Sequence, residues 1–138
     1  MVNKLKFGIV GCGRISKRHS ELLGNNQIMN AKLSAVCDIV KDKADLIANK
    51  FSVPAFYDLD EMLSNIDIDV VVILSESGYH AEHVIRASRY KKHIVVEKPM
   101  ALKLEDADRM IEACDMAGIK LFVVKQNRFN IPIVKLRK

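Results

Sequence analysis

The sequence of 138 residues predicts an α/β fold, a doubly wound parallel sheet of about six strands with helices on both faces. Three observations predict it. Short apolar runs alternate with segments of helical periodicity along the chain. The run Asp69-Val70-Val71-Val72-Ile73-Leu74 is apolar at five consecutive positions, as a central strand covered on both faces requires. The first apolar run, Leu5 to Val10, leads through Gly11-Cys12-Gly13-Arg14-Ile15-Ser16 into a segment with Ile15, Leu22 and Leu23 on one helical face. Strand, glycine turn and helix in that order open a dinucleotide-binding unit.

The elements follow in order. Lys32 to Cys37 reads as the second strand, ending at Asp38. Val40 to Phe51 reads as a helix with Ala44, Ile47, Ala48 and Phe51 on one face, and Pro54 ends that pattern. Ala55-Phe56-Tyr57 is a short strand. Asp58-Leu59-Asp60-Glu61 has capping-box spacing and starts a brief helix through about Leu63. After the strand at Asp69–Leu74 comes the loop Ser75-Glu76-Ser77-Gly78, then a helix from about Tyr79 to Arg89. His93 to Glu97 is the fifth strand and runs into Lys98-Pro99. Leu104 to Ala117 is a helix with Leu104, Ala107, Ile111 and Cys114 on one side and Gly118 as its terminator. Ile119 to Val124 is the sixth strand. This rhythm fits the strand order 3-2-1-4-5-6, in which ligands bind at the carboxyl ends of the strands. Ser16, Asp38, Ser75 to Gly78, Glu97-Lys98-Pro99 and Gln126 to Arg128 are expected to gather there.

The glycine turn carries the first functional reading. Gly11 permits the tight turn, and Gly13 lets a pyrophosphate approach the backbone. The third position must be small for the helix to pack on the strand; here it is Ser16 in place of Gly or Ala. The helix then starts beneath the phosphates, offering free N–H groups and its positive dipole end. Asp38, 22 positions beyond Ser16, suits an acid that accepts from both adenosine ribose hydroxyls; by itself it also suits the N-cap of the next helix. Its carboxylate repels a 2′-phosphate, which favours NAD over NADP, while Lys41 and Lys43 nearby weaken that preference.

Composition bounds the rest. An apolar share of 49% and a charged share of 28% are those of a globular domain. No apolar run approaches the ~20 residues of a membrane span, and Lys4 and Lys6 interrupt any signal-peptide pattern. Cys12, Cys37 and Cys114 lack metal-ligand spacing and read as buried free thiols of a cytoplasmic protein. No metal site is expected. The net charge of +5 is spread along the chain and mixed with acids, which argues against nucleic acid and suits anionic cofactors and substrates.

Glu97-Lys98-Pro99 after a strand, downstream of Gly11-Cys12-Gly13-Arg14-Ile15, resembles the glucose–fructose oxidoreductase and inositol dehydrogenase family (Gfo/Idh/MocA). The resemblance covers essentially the whole chain, as that family's N-terminal NAD-binding Rossmann domain. Asp38, His80, the strand from His93 and Asn127-Arg128-Phe129 fall where the family has similar residues. Two departures stand out. Ser75-Glu76-Ser77-Gly78 replaces the usual Thr-Pro-Asn after the fourth strand, and Lys91-Lys92-His93 stands where Gly-Lys-His is common. The runs Ser-Glu-Ser-Gly-Tyr-His and Lys-Gln-Asn-Arg-Phe-Asn look like the branch acting on nucleotide-linked amino sugars and their uronates.

The resemblance implies hydride transfer between a nicotinamide and a sugar or nucleotide-sugar carbon. It implies Lys98 as the catalytic residue, bonding the reacting oxygen and stabilising its developing charge. The cofactor-binding set it implies is Gly11, Gly13, Arg14, Ile15, Asp38, Ser75, Glu76, His80, Glu97 and Lys98. Glu97 orients Lys98 or its loop, His80 packs or neighbours the cofactor, and Arg128 meets substrate or the domain junction. Read without the family, Lys98 is a solvated lysine before a turn proline. Residues 1–129 are expected to form the dinucleotide-binding domain. Residues 130–138, where Asn130 to Leu136 reads as an uncapped helix start, are expected to begin a connection to a C-terminal substrate domain absent from this chain. That domain supplies, in the family, a histidine that shares the proton work and often the surface for homo-oligomer assembly; the 138-residue piece alone is expected to be inactive. Two other classes compete: a non-catalytic sensor of NAD(P) redox state, and a nucleotide-binding domain for a ligand such as S-adenosylmethionine.

Overall fold

A computed structural model describes residues 3–125. Six parallel strands form one sheet in the order β3-β2-β1-β4-β5-β6, as the sequence predicts. The strands are β1 (Leu5–Val10), β2 (Ala31–Cys37), β3 (Ala55–Phe56), β4 (Val70–Ile73), β5 (His93–Val96) and β6 (Leu121–Val123). The helices are α1 (Ser16–Gly24), α2 (Lys41–Phe51), α3 (Leu59–Asn65), α4 (His80–Ser88) and α5 (Leu104–Ala117), with a 3-10 turn at Ser77–Tyr79 before α4.

Two cores lie on opposite faces of the sheet. On one face Ile9, Leu33, Val36, Val72 and Leu74 pack against Leu23 of α1 and Ala44 and Ala48 of α2. On the other Val10, Val71, Ile73, Ile94 and Val96 meet Met62 of α3, Val84 and Ala87 of α4, and Met110 and Cys114 of α5. Neighbours in sequence, such as Ile9 and Val10, enter opposite cores because strand side chains alternate. All four residues of β4 are buried, which accounts for its unbroken apolar run.

Local chemistry sets the element ends. The Asp58 carboxylate accepts from the Glu61 amide at 3.0 Å and caps α3. Gly118 ends α5 in the left-handed region at φ +70. Lys91 also takes a positive φ, +56, which gives a physical reason for glycine being common there. Arg86 of α4 bonds Asp58 and Asp60, and the Tyr90 hydroxyl donates to Asp60 at 2.9 Å, locking α3 against α4.

Two helix faces differ from expectation. In α5, Leu104 is 77% and Ile111 47% exposed, while Met110 and Cys114 are buried. At 100° per residue, Leu104 and Ile111 sit on the flank of the stripe centred on Met110, Cys114 and Ala117. In α1, Ile15 is the exposed N-cap residue, and the buried set is Ser16, Ser20 and Leu23. The small serines allow α1 to lie close on the sheet. The expectations for Gln126 to Phe129 and Asn130 to Leu136 lie outside the described residues.

Candidate functional site: a cleft at the carboxyl ends of the strands

A cleft of ≈ 660 Å³ opens where β1, β2 and β4 end. Seven of the residues assigned from sequence line it: Gly11, Gly13, Arg14, Ile15, Asp38, Ser75 and Glu76. Its size lies within the usual range for ligand sites.

The glycine turn is fixed by backbone geometry. Gly11 has φ +97, and a Cβ there would fall 2.5 Å from the Ser75 amide nitrogen and 2.6 Å from the Leu74 carbonyl carbon. Gly11 is therefore required twice, by conformation and by the close passage of the chain after β4. Gly13 is different: a Cβ on it would meet nothing within 4 Å. The space above Gly13 faces the cleft, as a position kept bare for a ligand would. The amides of Gly13, Arg14 and Ile15 have no hydrogen-bond partner among the described residues. Three consecutive free donors at a helix N-terminus form an anion cradle. Ser16 is fully buried and its hydroxyl donates to the Gly13 carbonyl, which closes the turn and explains serine at the third position.

Asp38 stands at the end of β2 with its carboxylate held twice. Oδ2 accepts from the Cys12 amide and Oδ1 from the Val40 amide, both at 2.8 Å. Val40, not Asp38, is the N-cap residue of α2. A carboxylate has about four acceptor sites, so two remain for a diol. Ile39, directly after it, is 86% exposed and lines the cleft, an apolar platform beside the acid. The two lysines near Asp38 separate: Lys41 lies over the Tyr57 ring at 5.2 Å, and Lys43 lines the cleft. Cys12 and Cys37 are buried, and burial pushes each thiol up to about 12, so neither supplies a thiolate at neutral pH.

The far wall belongs to the β4–α4 loop. The Ser75 hydroxyl lies 2.7 Å from His83 Nδ1, and the His83 ring stacks on Tyr79 with centroids 5.9 Å apart. Burial holds the His83 imidazole below its ordinary value; Glu82 opposes this, and Arg86 and His80 add to it. A neutral ring with its proton on Nε2 accepts a hydrogen bond from the Ser75 hydroxyl. Tyr79, His83, Ile39 and Lys43 are cleft residues outside the assigned set; Lys43 was legible as a charge near Asp38 and Ile39 by its place directly after the acid, while Tyr79 and His83 had no signal.

Three assigned residues do not line the cleft. His80, expected beside the cofactor, is 1% exposed, with Nδ1 2.8 Å from the Pro99 carbonyl oxygen and Nε2 2.8 Å from that of Ser75. Glu97 is 3% exposed; Oε2 accepts from the Lys98 amide at 2.8 Å and Oε1 lies 3.3 Å from His19 Nε2. His19, which carries no signal in the sequence, thus ties α1 to the end of β5. Lys98 follows with an exposed side chain, across a cis bond to Pro99. Among the described residues no group of His, Cys, Asp or Glu is placed to hold a metal ion, and no helix is long and apolar enough to cross a membrane.

Comparison with known proteins places this geometry. Residues 5–125 match the family described as "Oxidoreductase family, NAD-binding Rossmann fold". Myo-inositol 2-dehydrogenase of Thermotoga maritima is 35% identical over 135 residues, covering 97% of this chain and 40% of that protein. The WlbA dehydrogenase of Bordetella pertussis, solved in complex with NADH and UDP-GlcNAcA, superposes with a TM-score of 0.91 at 38% identity, covering 97% of this chain and 41% of that one. The scyllo-inositol dehydrogenase of Lactobacillus casei, solved with NAD(H) and scyllo-inositol, gives 0.89 at 30% identity, covering 98% and 40%. The chain thus spans about two fifths of the length of these relatives. The free amides over Gly13 and the anchored Asp38 fit such a dinucleotide, and the reading as a site for S-adenosylmethionine falls away. The chain belongs to the Gfo/Idh/MocA oxidoreductase family, and residues 5–125 are its NAD-binding Rossmann domain.

Proposed function

We propose that this domain is the cofactor half of an NAD-dependent dehydrogenase acting on a sugar or nucleotide-sugar hydroxyl, with Lys98 as the catalytic residue. When bound, the nicotinamide supplies the acceptor or donor of the hydride. The amides of Gly13, Arg14 and Ile15 hold the pyrophosphate at the N-terminus of α1, and Arg14 adds its charge. Asp38 takes the ribose diol with its two remaining acceptor sites, and Ile39 lies under the adenine. A 2′-phosphate would meet the Asp38 carboxylate, so NAD is preferred to NADP. In the oxidative direction the substrate carbon would give its hydride to the bound nicotinamide, and its hydroxyl would pass its proton to Lys98 in the neutral form. Lys98 hydrogen-bonds that oxygen and stabilises the charge developing on it.

The observation that carries the reading is the contrast within Lys98 itself. Its amide is held by Glu97 and its neighbour Pro99 by His80, while its side chain stays exposed. That arrangement suits a group that meets a ligand. The substrate class rests on the relatives solved with UDP-GlcNAcA and scyllo-inositol, and on Arg14, Lys17 and Arg18, all exposed near the glycine turn, which suit an anionic substrate. A second wall of the substrate pocket lies beyond this domain, and the domain alone binds cofactor without turnover. Three buried cysteines without a disulfide fit a reducing cytoplasm. The test is Lys98→Ala in the full-length protein. Turnover falls sharply while the Kd for NAD holds; unchanged turnover removes Lys98 from catalysis, and NAD binding without any turnover in the unaltered full-length protein favours an NAD-sensing regulator.

A further inference from the structure

We infer that His80 is a positioning residue that sets Lys98 against the cofactor cleft. The inference rests on the reading of Lys98 as the catalytic residue and goes beyond it.

His80 opens α4, and its buried ring lies between two turns that have no strand pairing to each other. One is the turn after β4, where Ser75 lines the cofactor cleft. The other is the turn after β5, where Pro99 directly follows Lys98. Each ring nitrogen is 2.8 Å from a main-chain carbonyl oxygen, Nε2 from Ser75 and Nδ1 from Pro99. Both carbonyls can only accept, so a ring nitrogen that carries a proton donates to the carbonyl it faces, and with both nitrogens turned to main-chain oxygens neither is open to a ligand. This rules out direct cofactor contact through His80 nitrogen and gives the residue a different task. A side chain merely filling the core needs no polar atoms there, and burying two unmatched nitrogens is costly. The specific gain of histidine at this place is the link between the cleft wall and the lysine-bearing turn. Glu97, bonded to the Lys98 amide and facing His19 of α1, holds the same turn from the other side. Lys98 is thus placed by contacts reaching α4 on one side and α1 on the other. Misplacing a reacting group by about 1 Å costs on the order of 10²-fold in rate.

The experiment compares His80→Ala, His80→Asn and His80→Gln with Lys98→Ala in the full-length protein, measuring kcat, KM for substrate, Kd for NAD and Tm for each. The amide nitrogen of Asn takes the place of Nδ1 and keeps the bond to Pro99. The amide of Gln takes the place of Nε2 and keeps the bond to Ser75. The expected order of kcat is wild type, then Asn, then Gln and Ala, with Ala down by about 10²-fold and the Kd for NAD nearly constant. Losses that follow Tm or the Kd for NAD across the series, or a kcat for Asn no better than for Gln, overturn the inference. Should the Ala variant fail to fold, the Asn and Gln pair decides the question alone. If Lys98→Ala retains turnover, the functional reading itself fails; if Lys98→Ala is inactive and the His80 variants behave as wild type, only the positioning role fails.

Discussion

The turn after β1 and the turn after β5 both carry proposed site residues to the same end of the sheet, yet they are held by different means. The β1 turn is held by contacts within itself and with the adjacent end of β2: Gly11 at positive φ, the Ser16 hydroxyl folded onto the Gly13 carbonyl, and the Asp38 carboxylate bound to the Cys12 amide. The β5 turn is held by side chains from distant helices, His80 of α4 and His19 of α1, through Pro99 and Glu97. The first design leaves bare amides facing the cleft, which suits an anion. The second leaves one long side chain exposed on an anchored backbone, which suits a group that must act at a defined place.

The largest expected effect separates the two turns by function. In the full-length protein, Lys98→Ala lowers kcat by about 10²–10⁴-fold, the usual contribution of a positioned proton-transfer group. Lys98→Arg keeps the charge but cannot give up its proton, so it recovers only part of that loss. Steady-state kinetics with parallel NAD titration checks both; full recovery by Arg would mean that charge alone suffices.

The next effect lies within the β1 turn. Gly11→Ala destabilises the domain by about 1–3 kcal/mol from backbone strain alone, and the approach to the Ser75 amide adds to it. Gly13→Ala leaves the urea midpoint unchanged, because nothing surrounds the new Cβ, and weakens NAD binding, because the pyrophosphate needs that space. Equal effects of the two substitutions on stability would show that the open space over Gly13 is not reserved for ligand.

The same contrast explains what was legible in the sequence. The β1 turn is local, and its parts lie within six residues, apart from the acid at the end of β2. Glycine spacing and one acid therefore reveal it, as apolar runs reveal the strand order. The contacts that hold the β5 turn join residues 19 and 97, 80 and 99, and 80 and 75, and no periodicity encodes such pairs. His80 was recognisable as a site residue only through the family resemblance, and its actual partners are two carbonyls. His19 carried no signal. The α5 face was misjudged for a related reason: Leu104 and Ile111 are apolar, but what covers a helix is decided by the sheet beneath it.

The smallest effect concerns the cleft's far wall. Burial holds His83 neutral in the folded domain, below the ordinary 6.5. As pH falls through about 6.5 the unfolded chain takes the proton first, so stability is full above that value and declines below it, by at most about 1.4 kcal/mol per pH unit. His83→Gln removes this part of the slope. Urea midpoints between pH 7.5 and 5 check it; a variant with the same pH dependence as the unaltered protein would show that His83 does not titrate in this way.

The central claim is that Asp38, held by the Cys12 and Val40 amides, reads the ribose of NAD. Calorimetric titration of this chain with NADH and NADPH, unaltered and as Asp38→Ala, tests it most directly. NADH binds the unaltered protein more tightly than NADPH does. In Asp38→Ala, NADH weakens by about 10–100-fold, the worth of hydrogen bonds to a charged group, and the gap to NADPH narrows because the carboxylate that repels a 2′-phosphate is gone while Lys43 stays in the cleft. Equal affinity of the unaltered protein for the two cofactors would contradict it.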